Sequence, residues 1–458
     1  MKLRILFSSA IALFGAMSLL FAAKNRTSAS SAESVNVRID VDRAVLPADS
    51  TEKAVVKIAL DGVRLPRHGA RPPVNLALVI DRSGSMSGDK IVKAREAALE
   101  AVERLAPDDV VSLVVYDNHI ETLVQAQRVG DGRRLRDAIC GIEARGGTAL
   151  YGGVTRGASE VRKNLEDRRY INRVILLSDG LANVGPSSPE ELGRLGTSLM
   201  KEGISVTTIG LGLGFNEDLM TRLAQRSDGN TYFVEHSSDL PRIFSAELGD
   251  VLSVIARRVI VEIEFPRGVR PICFVGREGT IRGQRAELTL NQLYGGQEKF
   301  ALIEVEVAPT AEGEEREIAR AQVRYEDAVH NRTATQTAAR TVKFSASRAA
   351  VVKSADHKVQ ADYAANVIAV AKDEAVALVD AGRRDAAGAL LRARSEELRK
   401  SADAYGNLQV KELAAVTAPA AAKIEQDGLS NSERKIFRAE SAQTRGQQAT
   451  SGYERTKD

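Results

Sequence analysis

Five oxygen-bearing side chains stand where the sequence predicts strands and turns to give way to helices. Two are carboxylates, and each comes at the end of an apolar run typical of a strand buried on both faces. The other three are hydroxyls, two in a Ser-Gly-Ser turn and one after a pair of glycines. The five residues are Asp81, Ser83, Ser85, Thr148 and Asp179. Oxygen ligands with little total charge suit Mg²⁺ or another hard divalent cation.

Helix capping is the alternative explanation for the first three of these residues, because Asp and Ser are also preferred caps. The later residues favour a shared site. Strands 75–80 and 174–178 are both predicted in one parallel sheet, so Asp81 and Asp179 would lie at the same edge, with Thr148 presented between them. Ligands bind at that edge in open α/β sheets.

The order and loop context of the five residues resemble the metal-ion-dependent adhesion site of the von Willebrand factor type A (vWA) family. The resemblance covers residues 73–251 and implies a doubly wound, mostly parallel, six-stranded α/β domain of Rossmann-like form. It also implies that the three hydroxyls bind Mg²⁺, or Mn²⁺ or Ca²⁺, directly, and that the two aspartates bind it directly or through water. One coordination position would stay open for an Asp or Glu carboxylate of a protein partner.

Composition and periodicity divide the 458 residues into several regions, as expected for a chain of this length. Two period-two strands before residue 66 have no partners of their own, and a lone hairpin is only marginally stable. We therefore predict that they complete a β-sandwich formed by later strands, so that the vWA domain is inserted in that sandwich. The predicted regions are 1–32, signal peptide or N-terminal anchor; 33–66, first sandwich strands; 73–251, vWA domain; 255–345, remaining sandwich; 347–425, a C-terminal helical region (hairpin or bundle); and 427–458, disordered tail.

The N-terminus has the pattern of an export signal. Lys2 and Arg4 precede an apolar stretch over residues 5–23, and both a cleaved signal peptide and an uncleaved membrane anchor fit this pattern. The protein is expected to be bacterial and exported, whether periplasmic, in the cell envelope or secreted. Membrane contact is expected only through an uncleaved anchor. Cys140 and Cys273, predicted in different domains, are expected to be buried or partly buried thiols.

The remaining sequence features argue against other classes of function. The net charge is +3, its 64 basic residues are spread along the chain, and Trp is absent, so nucleic-acid binding has no support. We find no P-loop, G-x-S-x-G or H-E-x-x-H motif, and the five histidines fall in different predicted elements. An enzyme is not expected.

The expected function is therefore cation-dependent protein binding, in adhesion or scaffolding, within a layout that resembles inter-alpha-trypsin inhibitor heavy chains and exported bacterial vWA proteins. Two alternatives stay open: the metal only joins three loops while the sandwich or helical region binds the partner, or the metal serves a hydrolase. Around the site, Arg82 is predicted to point into solvent, and residues 210–214 are predicted to form a flexible loop.

Overall fold

The first described strands lie ahead of the inserted domain. This computed structural model describes residues 33–64 and 71–450, so the predicted signal peptide or anchor at 1–32 lies outside the described residues. Within these ranges, none of the helices combines the length and the apolar character needed to cross a membrane. The first three strands are β1 (Val35–Val41), β2 (Val45–Pro47) and β3 (Glu52–Gly62).

Strands and helices then alternate to form the predicted α/β domain. Its six strands are β4 (Val74–Asp81), β5 (Val110–Tyr116), β6 (Ile120–Arg128), β7 (Ile171–Ser178), β8 (Ile204–Leu211) and β9 (Thr231–Val234). Its six helices are α1 (Asp89–Glu103), α2 (Arg133–Cys140), α3 (Leu150–Arg162), α4 (Pro189–Glu202), α5 (Glu217–Arg226) and α6 (Leu240–Leu252). We call the sheet of this domain the central sheet.

The central sheet is doubly wound, as predicted. Its strand order is β6-β5-β4-β7-β8-β9, and only β6 runs antiparallel to its neighbour. Strands β4 and β7 are buried along their whole length because helices cover both faces. Leu78 packs with Ala94 of α1 and Phe244 of α6 on one face, whereas Val79 packs with Val154 of α3 on the other.

Seven further strands complete a sandwich of two mostly antiparallel sheets. The strands are β10 (Val254–Glu264), β11 (Val269–Val275), β12 (Thr280–Arg282), β13 (Arg285–Tyr294), β14 (Gln297–Val307), β15 (Glu315–Asp327) and β16 (Arg332–Ser345). The first sandwich sheet has the order β1-β3-β14-β11, and the second has the order β12-β13-β10-β15-β16-β2. Strands from before and after the central domain thus share both sheets, which confirms the predicted insertion.

The two connections to the inserted domain leave the sandwich at one turn. The carbonyl of Gly62, at the end of β3, accepts a hydrogen bond from Gly296 N at 2.9 Å. The carbonyl of Ser253, just before β10, accepts one from Gly295 N at 2.8 Å. The β13–β14 turn therefore holds the outgoing and the returning chain side by side.

The C-terminal region is helical, and it packs on the sandwich. It comprises α7 (Arg348–Lys353), α8 (His357–Asp380), α9 (Arg384–Tyr405), α10 (Leu408–Asp427), α11 (Asn431–Arg445) and the short strand β17 (Gln448–Thr450), which pairs with β14. Helix α8 covers the outer face of the first sandwich sheet, where Val359 packs against Phe300 and Leu302. Small residues such as Ala364 and Ala414 let α8 and α10 pack closely with α9.

Two expectations about the chain were wrong. The segment 427–458 was predicted to be disordered, yet α11 and β17 lie within it. Its charged residues face acidic partners in the folded chain: Arg434, for example, contacts Glu217 of α5. A polar sequence read alone gives no sign of such partners. Cys140 and Cys273 are free and exposed rather than buried.

Candidate metal centre

The ends of two neighbouring parallel strands bring the predicted carboxylates to one edge of the central sheet. Strand β4 ends at Asp81, strand β7 ends one residue before Asp179, and the two strands pair in register up to Ile80 and Leu177. The exposed fraction is 0% for Asp81 and 1% for Asp179. Both carboxylates are therefore held below the surface.

Hydrogen bonds join the two serines to these carboxylates. The main-chain N–H of Ser83 donates to Asp81 Oδ1 at 2.8 Å, and the hydroxyl oxygens of Ser83 and Ser85 lie 3.0 Å apart. Ser85 Oγ donates to Asp179 Oδ1 at 2.7 Å. Four of the five predicted residues thus form one continuous chain of contacts.

Gly180 shows that Thr148 belongs to the same cluster. A Cβ atom built on Gly180 would lie 3.0 Å from Thr148 Oγ1, 3.4 Å from Ser85 Oγ and 3.8 Å from Ser83 Oγ. The three hydroxyl oxygens therefore surround one small space, and a glycine at position 180 leaves that space free. The structure brings all five predicted residues together.

Two asparagines hold the Thr148 loop in place: Asn118, which lies in a segment predicted to form an ordinary turn or a rim contact, and Asn183, which sequence reasoning missed. Asn118 Oδ1 accepts a hydrogen bond from Gly147 N, and Asn183 Oδ1 accepts one from Thr148 N at 2.9 Å. Gly146, with φ +72°, has the left-handed backbone that this turn requires. Both asparagines lie in loops that follow strands β5 and β7, which is the signal that could have found them.

The charges at this edge do not balance. The pKa of Asp81 is raised to about 6, mainly because the carboxyl group is buried. Hydrogen bonds from Ser178 and Ser83 lower this pKa, and the nearby charge of Asp179 raises it. Ser178 Oγ donates to Asp81 Oδ2 at 2.6 Å. Among the described residues, Lys90 is the basic side chain at this site, and its ammonium contacts Asp179 Oδ2. Two carboxylates thus face one ammonium.

The chemistry of the set fits a hard divalent cation. All five side chains offer oxygen, and no group of three or more His, Cys, Asp and Glu in the described ranges is arranged to hold a metal. A cation at this edge would therefore depend on hydroxyl ligands as well as on the two carboxylates. Ser83, Ser85 and Thr148 surround the space beside Gly180, and Asp81 and Asp179 flank it.

Arg82 does not point into solvent as predicted. It is only 6% exposed, and its guanidinium donates to Asp117 and Glu121, both at 2.9 Å. The reason is the local path of the chain: Arg82 N still bonds to Tyr116 O, so the side chain turns towards the β5–β6 hairpin. Arg82 supports the rim of the site.

Comparisons with known proteins find relatives of the α/β domain. A family model described as von Willebrand factor type A domain matches residues 75–246. An uncharacterized protein of Synechocystis is 29% identical over 62% of this chain and 68% of its own length. Human inter-alpha-trypsin inhibitor heavy chain H3 is 29% identical over 42% of this chain, but the match spans only 22% of that larger protein.

Solved structures extend the similarity of fold beyond the matched region. A von Willebrand factor type A protein from Catenulispora acidiphila superposes with a TM-score of 0.65, covering 86% of this chain and 90% of its own. Its sequence identity is 18%, so this likeness concerns the fold alone. The sandwich and helical region are thus found together with the α/β domain in another protein.

Proposed function

We propose that the chain binds a protein through a divalent cation. The reason is that residues 75–246 of this chain form a von Willebrand factor type A domain. Domains of this type serve protein–protein interaction and adhesion. The cation would sit at the edge of the central sheet. Its proposed ligands, direct or through water, are Asp81, Ser83, Ser85, Thr148 and Asp179.

One observation supports this proposal most directly. Three hydroxyl oxygens surround the space beside Gly180, next to two buried carboxylates that face a single ammonium, that of Lys90, among the described residues. A bound Mg²⁺, or Mn²⁺ or Ca²⁺, would offer an electrophilic centre with a free coordination position. Neutral hydroxyl ligands in direct contact would leave such an ion electrophilic at its free position, so an Asp or Glu carboxylate of the partner is the group that would complete its shell.

The proposal also covers the setting of this interaction. We infer an exported protein in the periplasm, the cell envelope or outside the cell, on the basis of the N-terminal sequence pattern. Catalysis is not part of the proposal, because a hydrolase needs a general base and both carboxylates at the proposed site would be held by the cation. Nucleic-acid binding is not part of it either, since basic residues are not gathered in a stripe.

Metal binding is tested by thermal and urea unfolding of the full chain in Mg²⁺ and in EDTA. Mg²⁺ at one hundred times its Kd should raise the free energy of unfolding by about 2.7 kcal/mol. Asp81→Asn should abolish this gain. The matched control is Asp89→Asn, which removes an exposed carboxylate from the start of α1 and should keep the gain. Equal unfolding curves for the wild type in Mg²⁺ and EDTA would contradict the proposal.

Partner binding is tested by capture from an extract of the source organism. The wild type in Mg²⁺ should retain a partner that is lost in EDTA and with Asp81→Asn, but kept with Asp89→Asn. Capture that survives EDTA, below the melting temperature, would instead assign the metal a structural role. The sandwich or the helical region would then be the binding surface.

A further inference from the structure

Helix α11 connects the metal edge of the central sheet to the sandwich. With 15 residues it is about 22 Å long, and it lies beside α5. At its C-terminal end, Arg445 Nε donates to the carbonyl of Gly276 in the sandwich at 2.7 Å. At its N-terminal end, Arg434 Nη2 donates to Asp218 Oδ2 of α5 at 2.6 Å. The first turn of α5 follows directly from the loop 212–216 that borders the proposed metal site.

Lys435 forms a buried contact between α11 and that loop. It is 4% exposed, and its Nζ donates to Phe215 O at 2.6 Å and to Glu217 Oε2 at 2.5 Å. The ammonium also lies 4.3 Å from the centre of the Phe215 ring. A buried ammonium is stable only with such partners, so Lys435 and the loop hold each other in place.

The same loop packs directly against Asp179. A Cβ atom on Gly214 would lie 2.7 Å from the carbonyl oxygen of Asp179, and one on Gly210 would lie 2.3 Å from the Phe215 ring. Neither position has room for a side chain. The loop 212–216 is therefore clamped between Lys435 on one side and the main chain of Asp179 on the other.

We propose that Lys435 is a positioning residue for the metal site. By holding Phe215 and Glu217, it presses the loop against Asp179 and keeps that carboxylate where a cation needs it. The C-terminal helix thereby sets the affinity of the site for metal. This inference rests on the proposed function, since it concerns the same cation.

The test is the Kd for Mn²⁺, measured by isothermal titration calorimetry on the full chain at 25 °C. Lys435→Met keeps the side-chain stem and removes the charge, and it should weaken Mn²⁺ binding by about tenfold, the size typical of residues that orient metal ligands. Lys435→Arg, which keeps the charge, should weaken Mn²⁺ binding less than Lys435→Met does. The control Lys411→Met removes an exposed lysine of α10 that pairs with Asp403 of α9 and not with α11, and it should leave the Kd unchanged.

The outcomes separate the two proposals. A wild type that binds no Mn²⁺ defeats the proposed function and this inference with it. A wild type that binds Mn²⁺ with a Kd equal to that of Lys435→Met overturns only the inference, even if the variant melts at a lower temperature, because Lys435 would then be merely structural.

A second measurement needs no variant. Coupling between two sites is reciprocal, so Mn²⁺ should slow amide hydrogen exchange in residues 431–438 of the wild-type chain. Exchange there that stays unchanged while Mn²⁺ binds would overturn the inference. This holds even if Lys435→Met fails to fold.

Discussion

At the scale of single residues, Asp250 of α6 is a carboxylate that folding makes harder to ionise. Burial and the nearby charge of Glu247 raise its pKa to about 6 from an ordinary value of 3.8. Its Oδ1 accepts a hydrogen bond from Gln297 at 2.8 Å. The folded protein thus binds this proton more tightly than the unfolded chain, so stability falls as the pH rises from about 4 to about 6.

We predict that Asp250→Asn stabilises the protein above pH 6. Asn keeps the acceptor for Gln297 and carries no charge, so the variant should gain up to about 3 kcal/mol in free energy of unfolding at pH 7.5. The gain should shrink as the pH falls to 4.5. Urea unfolding at both values measures it, with Asp108→Asn, an exposed loop carboxylate, as the control. A gain that is the same at both values would contradict this assignment.

Sequence alone could indicate the five candidate ligands because each stands at a strand end or in a glycine turn. It could not indicate Lys90 or Ser178 as members of the site. A lysine on the first turn of a helix and a serine at the end of a buried strand are common, and only the folded contacts with Asp179 and Asp81 distinguish them. The roles of the five residues as metal ligands stay predictions.

At the scale of elements, two helices carry glycines in opposite surroundings. In α3, a Cβ atom on Gly157 would lie 2.4 Å from Val79 Cγ2 of strand β4, so this glycine lets the helix approach the central sheet. In α6, a Cβ atom on Gly249 would have no atom within 4 Å. The same substitution should therefore act in opposite directions.

We predict that Gly249→Ala stabilises the protein by about 0.5–1 kcal/mol, because alanine restricts the unfolded chain and favours helix. Gly157→Ala should destabilise it by about 1–3 kcal/mol, since the added methyl group overpacks the core. Urea unfolding of the two variants gives both values, and each serves as the other's control. Stabilisation by both substitutions would show that helix propensity outweighs packing at Gly157, and destabilisation by both would contradict the assignment of Gly249.

Helix α4 was predictable whereas α11 was not, although both begin with a serine and glutamate capping box. Helix α4 places apolar residues such as Leu192 and Leu199 on its buried face, and this periodicity is visible in the sequence. Helix α11 buries Lys435 against Glu217 instead. Charge pairing between segments more than two hundred residues apart leaves no local pattern.

At the scale of the whole molecule, buried ions join the inserted domain to the sandwich. Lys299 of β14 donates to Asp228 Oδ2 at 2.7 Å, and Arg277 donates to its Oδ1 at 3.0 Å. Burial alone would raise the pKa of Asp228. The charges of Lys299 and Arg277 instead lower it to about 2. Close by, the fully buried Arg173 of β7 donates to Gln292 of β13 at 2.7 Å.

We predict that the domain and the sandwich unfold together. Differential scanning calorimetry should give one transition, and Lys299→Met should shift it as a whole, with a loss of about 3 kcal/mol, because Asp228 loses one of its two buried cations. The control Lys343→Met removes an exposed lysine and should leave the transition in place. Two transitions, only one of them shifted, would contradict this prediction.

The insertion itself was predictable, because two strands without partners had to find them later in the chain. The ionic junction was not. Lys299 lies at the polar start of β14, after Gln297 and Glu298. Arg173 is the third residue of the buried strand β7, and both are residue types typical of exposed positions. Only the contact between two domains turns these positions into buried ones.

The turn that holds both connections of the inserted domain has a mechanical consequence. A pull applied at the metal edge reaches the sandwich through two chain segments, near Gly62 and Ser253, which are held side by side by Gly296 and Gly295. The force divides between them instead of concentrating in a single linker. Helix α11 provides a third connection, because it contacts α5 at one end and the sandwich at the other.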